Sequence, residues 1–127
     1  MERLNLKSKK AQKALASLKE ILKEPYSIYI RDASIQRFEY TFEAFWKFLK
    51  EHLKSVKGII VNSPKDCFRE IFTNGYCNED ETSELLKMTD SRNETSHTYN
   101  EEVANKIFSK IKSYADLMQK VLNNIIK

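Results

Sequence analysis

Glycine and proline are nearly missing from this sequence, two of each in 127 residues. An all-β fold of that length needs many tight turns, so the scarcity excludes a sandwich or barrel and favours long helices. Cysteine is just as scarce. Cys67 and Cys77 have no His or Cys neighbour at metal-ligand spacing, which argues against a zinc site and predicts two free thiols. No apolar run approaches a membrane span, and the lysine-rich start from Met1 to Lys13 leads into no apolar segment. Neither a signal peptide nor a membrane anchor is therefore expected, and the expected location is the cytoplasm. Missing too are a Gly-rich phosphate loop, a His-Glu-x-x-His helix, a Gly-x-Ser-x-Gly elbow and a paired acidic signature with metal spacing. Self-contained nucleotide chemistry is not expected, nor is a resident metal or cofactor.

What is present is helical patterning rich in lysine, leucine, isoleucine and phenylalanine, with a formal net charge of +4. That excess is mildly attractive to phosphate without being a polybasic tail. The length suits one domain over residues 1–127. From Leu4 to Glu24 apolar residues recur at three- and four-residue intervals, and Pro25 should stop this first helix. A second helix is predicted from Ile28 to Lys57, with Ile35, Phe38, Phe42, Phe45, Trp46, Leu49 and Leu53 as its stripe and Gly58 after its end. Such a stripe is expected to be core rather than a ligand slot. Polar residues near its start, including Arg31 and Arg37, and His52 on its lysine-rich flank are expected to face solvent.

Ser63-Pro64-Lys65-Asp66 reads as a helix start, and the short helix after it should carry Cys67, Phe68, Ile71 and Phe72 inward and end at Gly75. The charged run Asn78 to Glu84 reads as a loop entering a helix with Leu85, Leu86 and Met88 on its buried edge. Asn100 should cap a last helix whose stripe is Val103, Ile107, Ile111, Tyr114, Leu117, Met118, Val121 and Ile125. The expected fold is all-α: an antiparallel, up-and-down four-helix bundle with an additional short helix.

Between those last two helices lies Ser91-Arg92-Asn93-Glu94-Thr95-Ser96-His97-Thr98-Tyr99-Asn100. Arg92, Asn93, His97 and Tyr99 are the candidate site residues. A histidine near its ordinary pKa can move the 2′-hydroxyl proton of RNA, and a fixed guanidinium can hold the phosphate, without any metal. At about 100° per residue Arg92 and His97 do not converge on a straight helix, so they need a helix end or a second chain to meet. Spacing alone leaves an alternative open: Arg92 paired with Glu70 or Asp90, Asn93 capping a carbonyl, and His97 a polar helix end.

The run SRNETSHTYNEE (Ser91 to Glu102), together with DASIQRFEYTFEAFWKFLK (Asp32 to Lys50) and SPKDCFREIF (Ser63 to Phe72), resembles the nucleotidyltransferase substrate-binding family, a branch of the HEPN domains. The resemblance covers most of the chain in order. It implies a HEPN-like bundle, a homodimer or higher homo-oligomer whose Arg-x4-His motifs face a shared cleft, and a minimal nucleotidyltransferase encoded nearby as partner. For Arg92, Asn93 and His97 it implies catalysis of metal-independent RNA cleavage, as in related toxin–antitoxin pairs. Tyr99 becomes the position where the nucleotidyltransferase would attach AMP. The alternative it leaves open is a non-catalytic subunit that binds substrate or nucleotide for a two-component transferase. Arg31 and Arg37 are further candidates for RNA or nucleotide phosphate if either side chain points into the cleft.

Overall fold

The computed structural model describes residues 1–126 of the chain. Its elements are α1 (Glu2–Ile21), α2 (Ile28–Lys57), α3 (Pro64–Thr73), α4 (Glu79–Glu94) and α5 (Glu101–Ile125), with one 3-10 turn, Thr95–His97, between the last two. Every helix start after the first has a side-chain cap. Ser27 Oγ accepts from Ile30 N, Ser63 Oγ from Asp66 N, and Asn100 Oδ1 from Glu102 N and Val103 N. Each such cap stabilises its helix by about 1 kcal/mol. Gly58 ends α2 in the left-handed region at φ 70°, where a side chain would be strained.

Two boundaries differ from expectation. Residues Lys23 and Glu24 lie beyond α1, because their amides turn back to Glu20 and Ile21 in tight i→i+3 bonds before Pro25 is reached. The stretch read as a loop from Asn78 to Glu84 is helix from Glu79. Asn78 Oδ1 accepts from Glu81 N while Glu81 Oε1 accepts from Asn78 N, a reciprocal capping box that starts α4 at once.

α2 packs against all four other helices. Phe38, Phe42, Phe45, Phe48, Leu49 and Leu53 from it are almost wholly buried, and they meet Phe68 and Ile71 of α3, Leu85 and Met88 of α4, and Ile111, Tyr114 and Met118 of α5. Burying each such side chain contributes roughly 1.5–3 kcal/mol. Phe38 stacks on Tyr114 and Phe42 meets Phe68 edge-on. Phe72, expected inside, is 42% exposed, and Trp46 sits half-buried at the edge of the stripe.

Contacts along the helices fix their directions. Ala14 O accepts from Thr41 Oγ1 and Arg3 pairs with Glu51, so α1 and α2 are antiparallel. Arg31 joins Glu101 near the start of α5, and Tyr76 joins both His52 and Asn124 near the ends, so α2 and α5 run the same way. Ser91 meets Tyr114 while Glu81 meets Lys120, which makes α4 antiparallel to both. The long helices therefore form an up-and-down four-helix bundle, and α3 is the additional short helix between α2 and α4. Among the described residues no helix is long and apolar enough to cross a membrane.

Two expectations of solvent exposure fail. Arg31 is buried, its guanidinium bonded to Asp32, Glu101 and Asn105. His52 is buried against Phe48, with Nε2 3.0 Å from Tyr76 Oη. Both lie on the core side of α2 and take their polar partners from segments distant in sequence.

Candidate functional site

The last turn of α4 is anchored from within. Ser91 Oγ lies 2.9 Å from Tyr114 Oη in the interior, and Met88 is buried one turn earlier. Helical geometry then turns Arg92 across the surface toward α2. Its Nη2 is 3.5 Å from Glu43 Oε1 and its Nη1 is 3.9 Å from Glu39 Oε2. Nη1 also donates to Thr95 Oγ1 at 3.2 Å, and Thr95 Oγ1 donates to Arg92 O at 2.7 Å. The hydroxyl of Thr95 competes with the helical ladder and helps end α4. Arg92 Nε is buried without a partner. Its side chain is 28% exposed and faces an open groove of about 310 Å³ formed with Gln36, Glu39, Tyr40 and Glu43.

The expected partners of Arg92 are occupied elsewhere. Asp90 pairs with Lys65 at 2.7 Å and Glu70 lies by Asn74. The carboxylates that do reach Arg92 are Glu39 and Glu43. Their i, i+4 spacing on the exposed flank of α2 is a signal for a paired cation on a facing helix.

His97 closes the 3-10 turn and is exposed. Its Nδ1 is 3.5 Å from Tyr99 Oη, and the two rings meet edge-on with centroids 6.0 Å apart. Tyr99 is 83% exposed. Asn93 is exposed, its carbonyl accepting from Ser96 Oγ. The fold thus brings His97 and Tyr99 together and holds Arg92 on the same helix end, but no contact within the chain joins Arg92 to His97. The helix does end before His97, which is one of the two arrangements that could have let the pair meet. That turn carries the imidazole to solvent rather than back to the guanidinium.

Arg31 and Arg37 are not turned toward the Arg92 groove. Arg31 is enclosed by Asp32, Glu101 and Asn105, and the flanking carboxylates raise its already high pKa. Reciprocally, the Arg31 guanidinium holds the Glu101 carboxyl below its usual range. Arg37 Nη1 donates to the Ser17 carbonyl at 2.8 Å. A phosphate at either arginine would have to displace these partners. Both cysteines are free and buried, and burial pushes the Cys67 thiol up to about 12, far from a reactive thiolate. Among the described residues no three His, Cys, Asp or Glu side chains are grouped to hold a metal ion.

A family described as nucleotidyltransferase substrate binding protein like matches residues 6–127. The chain belongs to that family. A protein of Thermus thermophilus, known from its crystal structure, is 46% identical with a TM-score of 0.88, over 92% of this chain and 99% of that one. HI0074 of Haemophilus influenzae, whose structure is described as revealing the fold of a substrate binding domain of a nucleotidyltransferase, is 24% identical. Its TM-score is 0.78, over 98% of this chain and 99% of that one. A chain of the toxin–antitoxin pair MntA–HpeT shares the fold at 12% identity, with a TM-score of 0.80 over 98% of each chain. No curated protein matches the sequence.

Proposed function

We propose that this protein is the HEPN-type partner of a separately encoded minimal nucleotidyltransferase and a metal-independent endoribonuclease whose site is shared by two copies of the chain. The observation that carries the nuclease reading is the division of labour at the end of α4: a half-buried, fixed guanidinium at Arg92 and a solvent-facing imidazole at His97. A twofold dimer would set one copy's Arg92 opposite the other's His97, which a single chain does not do. His97 then takes the 2′-hydroxyl proton as that oxygen attacks phosphorus, and the departing 5′-oxygen leaves with a proton from the second imidazole or from water. The products are a 2′,3′-cyclic phosphate and a 5′-hydroxyl. Arg92 offsets the charge gathering on the non-bridging oxygens, and Asn93 orients the phosphate.

Tyr99 supplies the control point. Its phenol projects beside His97, where it can enter a partner's active site. Attack of that phenol on the α-phosphorus of ATP would expel pyrophosphate and leave AMP attached. The added nucleotide would fill the approach to His97 and place an anion where the RNA phosphate must bind.

Incubation of the purified protein with RNA in EDTA tests the nuclease reading. Cleavage that disappears in His97→Ala is expected, and intact RNA from a demonstrably dimeric wild-type protein would overturn it. A second reading, a non-catalytic binding subunit, draws support from Glu39 and Glu43, which already occupy the Arg92 guanidinium. It predicts that His97→Ala weakens the complex with the nucleotidyltransferase rather than any cleavage.

A further inference from the structure

The exposed face of α2 changes character beyond the Arg92 groove. Up to Glu43 it is acidic, with Glu39 and Glu43 turned to Arg92. From Trp46 onward it opens into a second groove, about 380 Å³, between the C-terminal half of α2 and the start of α1. Arg3, Lys7, Lys47, Lys50 and Lys54 line it together with Trp46 and one carboxylate, Glu51. Five cations against one carboxylate give this small surface the same +4 excess that the whole chain carries. The rest of the chain sums to zero, and this groove is more basic than those between α1 and α5 and between α4 and α5. Glu51 is nearly buried and bonded to Arg3 at 3.1 Å and to Ser55 at 2.7 Å, so it offsets Arg3 and leaves the four lysines as the excess. Lys47 reaches Glu43 only at 4.0 Å.

The groove also holds a stacking surface. Trp46 is half-buried, so its ring is fixed against the core, and Nε1 donates to Glu43 Oε2 at 3.2 Å. The ammonium of Lys50 covers the ring, 5.6 Å from its centroid. A cation over an indole face occupies the position a nucleobase would take, and a displaced Lys50 would remain within reach of that nucleotide's phosphate. Glu43 is shared by Trp46 and Arg92, which makes the two grooves neighbours along one helix face. From Glu43 to Lys54 the axial distance is about 16 Å at 1.5 Å per residue. Roughly five stacked nucleotides span that length at 3.4 Å each.

Other grooves lack this combination. That between α1 and α5 pairs Lys19, Lys23 and Lys112 with Asp116, and that between α4 and α5 mixes Lys87, Lys106 and Lys110 with Asp90 and Glu94. Neither has an aromatic ring in its lining.

We infer that the groove formed by Arg3, Lys7, Lys47, Lys50 and Lys54 around Trp46 is a binding track for single-stranded RNA, leading toward Arg92. The inference deepens the nuclease reading by giving its substrate a path, and it rests on that reading for the choice of RNA. Lysines hold successive phosphates and the indole stacks one base, and stacking is tolerant of sequence because every base has a π-face.

Trp46 is the chain's one tryptophan, so its fluorescence reports on the groove directly. The test is a titration of the His97→Ala protein with a 12-nucleotide single-stranded oligouridylate, which separates binding from cleavage. Saturable quenching is expected, with affinity falling against salt at a log–log slope of about −2 or steeper, since each phosphate on a single strand contributes about −0.7. Lys47→Glu/Lys50→Glu/Lys54→Glu should weaken binding at least tenfold. The charge-matched Lys106→Glu/Lys110→Glu/Lys112→Glu protein should lose far less. Equal loss in the two triple variants, or no quenching at all, overturns the track. Equal competition by inorganic tripolyphosphate at matched phosphate concentration overturns the assignment to RNA. If RNA quenches Trp46 but wild-type protein never cleaves it, the nuclease reading fails and the track stands. If the Lys47/Lys50/Lys54 variant cleaves at the wild-type rate, the track fails and the nuclease reading stands.

Discussion

The molecule contains two histidine–tyrosine pairs, and they are built in opposite ways. His52 and Tyr76 are 24 residues apart in sequence and meet at 3.0 Å, their rings 5.3 Å apart, in a part-buried setting. Lys57 lies over the Tyr76 ring, and the Tyr76 carbonyl takes a bond from Asn124. That pair ties α2, the α3–α4 turn and α5 together. His97 and Tyr99 are two residues apart, 3.5 Å from contact, and exposed. Nothing in the packing depends on them. Where polar groups converge from distant segments they hold the fold, and where neighbours in sequence are left in solvent the chemistry remains uncommitted.

Breaking each pair should therefore give different losses. The largest expected effect is on the exposed pair: His97→Ala should lower RNA cleavage by about 10²-fold or more, while its urea midpoint stays at the wild-type value. Cleavage assays and denaturation on the same preparation check both halves. The reverse pattern is expected of His52→Ala. It leaves the half-buried Tyr76 hydroxyl without its partner and removes packing against Phe48, and should cost about 2 kcal/mol of unfolding free energy. Its RNA cleavage should be unchanged under conditions where it is fully folded. A His52 variant as stable as wild type would remove the structural half of the comparison.

The two histidines also show what could be read without the structure. Counting about 100° per residue puts Arg31 roughly 20° and His52 roughly 40° from Phe38, a fully buried member of the aromatic stripe. Both were on the core face, but the charge of Arg31 and the lysine neighbours of His52 pointed to solvent. The partners that make burial tolerable, Glu101 for Arg31 and Tyr76 for His52, come from segments that the helical pattern of α2 says nothing about. The bounds of α2 were legible because Ser27 and Gly58 act within one turn of its ends. The start of α4 was equally local, yet the acidic run hid a capping box whose first member is Asn78. At the candidate site the motif residues were legible in the chain. What α2 presents to them was not, because Glu39 and Glu43 reach Arg92 only through packing of α4 on α2.

The pH dependence of stability probes the buried pair further. Burial, and to a lesser degree Lys57, holds the His52 imidazole below its ordinary value. The unfolded chain therefore binds that proton more readily, so stability is full above the ordinary histidine range and declines as pH falls through it. Stability measured between pH 7.5 and 5 should fall with a slope that is much reduced in His52→Phe. A second decline is expected at more acid pH. There Glu101, held low by Arg31, and Glu81, held low by Lys120 and the Asn78 amide, lose their pairings as they protonate.

The smallest expected effect on the molecule itself belongs to Tyr99. A hydroxyl 3.5 Å from an exposed ring nitrogen is at the outer limit of a hydrogen bond, and water competes for both atoms. Tyr99→Phe should leave unfolding free energy within about 0.5 kcal/mol of wild type and RNA cleavage close to the wild-type rate, because His97 gains no fixed orientation from so long a contact. The same substitution removes the only oxygen on that side chain that could accept AMP. With the nucleotidyltransferase and ATP present, wild-type protein should gain the mass of one adenylyl group and lose cleavage, whereas Tyr99→Phe should keep both its mass and its activity. Inhibition of Tyr99→Phe to the same extent, with no mass change in either protein, would mean that the partner acts by covering His97 rather than by modifying its neighbour.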